Sequence, residues 1–82
     1  MSAHAYIHYA DVPEQLLETA RRTVDADTGA ALIQFDGYPY CGELVDGSND
    51  LQIEFTWSRN PELRGPLADW LTHHGIHFTV VM

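Results

Sequence analysis

Eighty-two residues, 45% of them apolar and only one of them cysteine, set the frame: one domain, a small core and no internal disulfide. Twelve acids against four bases, all four arginine, give a formal charge of −8. A chain so charged has no basic footprint for phosphate contacts, which excludes direct binding to nucleic acid and disfavours anionic lipid.

No run approaches the length of a membrane span, and Met1-Ser2-Ala3-His4 has neither a basic n-region nor an apolar h-region. The expectation is a complete, small, cytoplasmic gene product.

Ala3 to Tyr9 alternates, with Ala5, Ile7 and Tyr9 on one side and His4, Tyr6 and His8 on the other, which predicts a first strand. Asp11 then reads as a helix N-cap, with Pro13 in the first turn and Glu14 three residues on. Val12, Leu16, Leu17, Ala20 and Val24 form an apolar stripe at helical spacing, and Glu18 and Arg22 stand as an i,i+4 pair. Asp25 to Gly29 ends this helix, with Gly29 in the left-handed position.

Strands follow at Ala30 to Phe35 and Tyr40 to Val45, joined by the turn Asp36-Gly37-Tyr38-Pro39. Asp46 to Asp50 closes a hairpin onto Leu51-Gln52-Ile53-Glu54-Phe55-Thr56-Trp57, which alternates without a fault and is expected as the central strand. Asn60 and Pro61 start a second helix whose face runs through Leu63, Leu67, Trp70, Leu71 and His74. Gly65-Pro66 predicts a kink or a split within it, Gly75 ends it, and Ile76 to Met82 is the last strand.

The fold class is therefore α+β: a single domain over residues 1–82, β-α-β-β-β-α-β, with a mostly antiparallel sheet of about five strands and two helices on one face. The crossover rule sets the first strand parallel to another strand of the same sheet. The arrangement resembles a split β-α-β unit with an inserted hairpin, an analogy of fold that carries no function.

Asp27-Thr28-Gly29-Ala30 matches the short signature of retroviral-type aspartic proteases, but a helix precedes it where that family has a hydrophobic strand. It is read as a helix end and turn. Asp46 to Asp50 lacks the spacing and the closing Glu of a calcium loop. His4 and His8 share a strand face, and His73, His74 and His77 cluster later; pairing of the last strand with the first would set His77 beside His4 or His8. His-His-x-x-His is not a zinc spacing, so no metal and no cofactor is expected. Cys41 has no basic neighbour to activate it and reads as a small buried or half-buried residue. No catalytic residue is assigned, and no enzyme is expected.

The hairpin register that brings the apolar faces together sets Leu44 against Ile53, Tyr40 against Trp57, and Glu43 directly across from Glu54. Like charges so placed destabilise a sheet. Asp36, Tyr38, Tyr40, Glu43, Asp46, Asp50 and Glu54 are therefore the candidate partner-binding residues, tyrosine being enriched at interfaces. The function expected is a small acidic inhibitor that blocks a basic protein surface, such as that of a nucleic-acid-binding complex. In class and size it resembles the small phage and mobile-element inhibitors, anti-CRISPR proteins among them, some of which mimic nucleic acid. The alternatives are a small homodimeric structural or adaptor module, and a histidine-based metal protein or enzyme.

Overall fold

The computed structural model describes residues 3–37, 41–47 and 50–82. Strand β1 spans Ala3–His8 and is followed by a single 3-10 turn, Tyr9–Asp11. Then come helix α1 (Glu14–Thr19), strands β2 (Arg21–Val24), β3 (Ala31–Gln34), β4 (Cys41–Asp46) and β5 (Leu51–Trp57), helix α2 (Pro61–His73) and strand β6 (Thr79–Val81). The strands form one sheet in the order β2-β3-β4-β5-β1-β6, and every neighbouring pair is antiparallel. The fold is α+β as expected, with six strands rather than about five.

The added strand is the main correction. The helix expected from Asp11 to Val24 stops at Thr19, and Ala20 is already extended. The physical reason is burial. Leu16, Leu17 and Ala20 pack against the core, but Val24, in phase with them on a helix, is 70% exposed. With no core beneath it, the β-branched pair Thr23-Val24 has little to hold it helical and pairs with β3 instead. Asp11 belongs to the 3-10 turn, and the residue preceding α1 is Pro13, without a side-chain cap. Arg22 lies across from Ile33 on the sheet and bonds the Tyr9 hydroxyl, so it forms no helical pair with Glu18. Gly29 does take a left-handed φ of 74°, in the β2–β3 turn, where the Asp25 carboxylate accepts from the backbone N–H of Asp27 at 2.8 Å.

Helix α2 begins as its signals imply. Asn60 Oδ1 accepts from the Glu62 N–H at 3.0 Å, with Pro61 at the first helical position. It runs through Gly65-Pro66 as one helix from Pro61 to His73, so the expected alternative of a split does not occur. The residue before a proline resists helical geometry because its Cβ meets the ring, and Gly65 has no Cβ. At the other end Gly75, at φ 68°, donates to Thr72 O (3.0 Å), and Ile76 donates to Leu71 O (2.9 Å). These are the paired bonds of a Schellman stop, and the buried side chains of Leu71 and Ile76 supply its apolar contact.

The helical connections join strands that run the same way. β1 leads through α1 to β2 at the far edge, and β5 leads through α2 to β6 with β1 lying between them. β6 is shorter than the expected Ile76-to-Met82 strand because the Schellman stop uses Ile76.

The core lies between the sheet and the helices. Ala5, Ile7, Ile33, Ile53 and Phe55 point inward from the strands, and Leu67 and Leu71 meet them from α2. The Trp70 ring lies 5.3 Å from that of Phe35, and Phe78 closes on Trp57 at 5.7 Å. Gly42 sits inward on β4 opposite Ile33, because a Cβ there would fall against Ile53 Cγ2 and 2.9 Å from Phe55 Cε1.

Two outcomes are expected. Gly42→Ala should lower stability by about 1–3 kcal/mol, the range for overpacking a filled core, as read by urea denaturation. Amides of Ile53 to Trp57 should exchange near the global unfolding limit, since β5 has a paired strand on each side.

Candidate functional site

The Gly47 N–H donates to Asp50 O at 2.7 Å, which closes the β4–β5 hairpin. That bond fixes the parity of the ladder, so Glu43 and Glu54 form a hydrogen-bonded pair, as do Val45 and Gln52. Glu43 does stand across from Glu54, and Leu44 across from Ile53, in the register expected from the sequence. In a hydrogen-bonded pair the Cα atoms stand about 5.5 Å apart, the wider of the two antiparallel spacings. The wider spacing moderates the repulsion between the two half-buried carboxylates without removing it.

On its other flank β5 pairs with β1, and Glu54 faces Tyr6. Hydrogen bonding alternates along an interior strand, so this is the closer, non-hydrogen-bonded kind of pair, at about 4.5 Å between Cα atoms. The Tyr6 hydroxyl donates to the Glu54 carboxylate. Its pKa is raised above the usual 10.0 by that bond first, then by desolvation, then by the charges of Glu54 and Glu43. His4 Nε2 lies 3.8 Å from Glu54 Oε1, and His8 Nδ1 contacts the Asp50 carboxylate. A single row thus crosses the whole sheet on the side away from the helices: Thr23, Leu32, Glu43, Glu54, Tyr6 and Thr79. Beside it, a hollow of about 320 Å³ is lined by Tyr6, His8, Gln52 and Thr79 among others.

The expected site residues divide. Glu43 and Glu54 form the centre, and Asp46 and Asp50 lie exposed at the adjoining hairpin end. Asp36, exposed in the β3–β4 turn, lies at the opposite end of β4 and does not join them. A six-residue strand separates the two ends by about 17–20 Å. Tyr38 and Tyr40, with the Tyr40–Trp57 pairing, lie outside the described residues.

Sequence reasoning left His4, Tyr6 and His8 out of the acidic site. Their alternation on one face of β1 was visible, and β5 as an interior strand needed a second antiparallel neighbour. Joining those two facts would have placed Tyr6 by Glu54.

Of the five histidines, His73 and His74 stand together, their rings edge to face at 5.0 Å. β6 begins at Thr79, so His77 precedes the β1–β6 ladder and is not a ladder partner of His4, which faces Val81, or of His8. His74 packs edge-on to Trp70 at 4.9 Å. Among the described residues no three of His, Cys, Asp and Glu converge as metal ligands. Cys41 is exposed, not buried, because inward Gly42 and Leu44 turn it to the open side. No helix among the described residues is long and apolar enough to cross a membrane. The chain matches no family model, no curated protein and no solved structure.

Tyr6 supplies a direct test. Its folded pKa is raised, so the stability it contributes is complete below the ordinary tyrosine value of 10.0 and is lost as pH rises through the folded value. Absorbance titration should show one phenol ionising late, absent in Tyr6→Phe and moved back toward 10.0 by Glu54→Gln. A late phenol that persists in Tyr6→Phe would place the effect elsewhere.

Proposed function

We propose that this chain is a small acidic inhibitor that binds the basic surface of a nucleic-acid-handling protein through the uncovered face of its sheet. The single observation that carries the reading is the Glu43–Glu54 pair, two like charges held face to face at the centre of that face. Such a pair costs a sheet roughly 0.2–1 kcal/mol. A partner guanidinium or ammonium between the two carboxylates converts that cost into attraction.

The surroundings fit the same use. Tyr6 holds Glu54 in place and offers an aromatic edge, while the hollow beside it has an apolar wall from Ile7 and Val81 for an arginine stem and polar groups from His8, Gln52 and Thr79 at its rim. Asp46 and Asp50 extend the negative field to the hairpin end. His4 and His8 approach Glu54 and Asp50, and an imidazole is charged only when protonated. Size, charge and cytoplasmic action against a nucleic-acid machine are those of phage and mobile-element inhibitors of the anti-CRISPR kind.

The experiment has two stages. A pull-down from the native host, read against a Glu43→Lys/Glu54→Lys control, identifies the partner. Binding kinetics with Glu43→Gln/Glu54→Gln then test the charge. The double amide should fold as well as the parent or better, bind with a slower on-rate and show a flatter salt dependence. Unchanged kinetics at low salt, with the fold verified, would leave the acidic row as an ordinary hydrated surface.

A further inference from the structure

The sheet has two edges, and they differ. β6 is three residues long, whereas β2 carries four, all exposed, and two of the chain's four arginines. The Asp25 N–H donates to Ala30 O at 2.9 Å, in register with the β2–β3 ladder. Arg21, Thr23 and Asp25 therefore direct their backbone groups toward β3, and Arg22 and Val24 direct theirs outward. An outward row of N–H and C=O groups is a template for another strand.

We infer that β2 pairs antiparallel with β2 of a second copy, about a two-fold axis at Thr23, joining two sheets edge to edge. Three independent requirements select this register. Facing residues must lie on the same side of the sheet, which restricts a symmetric pairing to one centred on a residue rather than between two. Bonded pairs must be residues whose backbone groups point outward, and centring on Thr23 sets Arg22 against Val24 of the second copy, which satisfies this. Charge must match, and the same register sets Arg21 of each copy against Asp25 of the other. Centring on Arg22 opposes Arg22 to itself, and centring on Val24 sets Arg22 against Ala26, which has already left the strand for the turn.

The two-fold position is then a Thr–Thr pair of the closer kind, a favourable neighbour pair in sheets. The acidic centres do not oppose the contact. Glu43 of one copy lies roughly 24 Å from Glu43 of the other at five strand spacings, well beyond the screening length of about 8–10 Å. The edge is short, so the dimer is weak and concentration-dependent. This association is read on the chain alone and stands or falls separately from the partner proposed above.

Sedimentation velocity of the full chain, from low micromolar to near-millimolar concentration, should show a reversible monomer–dimer shift. Val24→Pro removes an outward N–H that the monomer does not use, so circular dichroism should be retained and the dimer weakened at least about ten-fold. On a Cys41→Ser background, Thr23→Cys should oxidise rapidly to a disulfide-linked dimer, since facing positions of this kind lie within disulfide reach. Arg22→Cys on the same background, off the axis, should not. A parent chain that stays monomeric throughout, or a dimer that survives Val24→Pro unchanged, overturns the inference.

Discussion

The bond from the Gly47 N–H to Asp50 O governs more of this molecule than its place at a hairpin end suggests. It sets which residues of β4 and β5 face each other, and with that the side on which every side chain of both strands lies. A slip of one residue would turn Gln52, Glu54 and Thr56 into the core and Ile53 and Phe55 into water. The penalty for that exchange is several buried side chains at about 1.5–3 kcal/mol each, far more than the repulsion between Glu43 and Glu54. The apolar face and the hairpin bond select the same register, and the acidic pair is carried with it.

Packing around β5 follows from the same constraint. Its inward Ile53 and Phe55 are both buried; Ile53 faces Ile7 and Leu44, whereas Phe55 is flanked by little bulk, Ala5 from β1 and Gly42 from β4. The small flanking residues leave room for the Phe55 ring in the close-packed core. Gly42 is thus a position where a strand gives up propensity for close approach. On the outer face the alternation of spacings gives Glu54 two unlike neighbours, Glu43 at the wider and Tyr6 at the closer.

What could be read in the residues tracks where local and global preferences agree. β5, with fault-free alternation, spans Leu51–Trp57 in both readings, and α2 carries its cap, its first-turn proline and its stop in the sequence itself. The failures fall where a local pattern had no tertiary support. Val24 continues the phase of Leu16 and Ala20, so periodicity extends α1 through it, yet only the position of the core decides whether that phase is rewarded. The same blindness hid the site's second half. Glu43 and Glu54 are linked by a tight hairpin and could be paired from sequence, whereas Tyr6 reaches Glu54 across 48 positions, a contact that only strand order reveals.

The distribution of positive charge bears on what the open face is for. A fold selected only to neutralise its acids would set arginine among them, and the chain has four to use. None of them lies on β4, β5 or β1; two are on the β2 edge and two are at or within the approach to α2. Side chains of β1 approach the acids instead: Tyr6 and His4 at Glu54, and His8 at Asp50. A guanidinium beside Glu54 would quench the field at every physiological pH, while an imidazole does so only when it carries a proton. The proposed basic partner would supply a permanent cation of a kind that β1, β4 and β5 do not carry. The arginines on β2 sit where backbone groups are already exposed, and there they can meet the one acid of that segment, Asp25, on another copy.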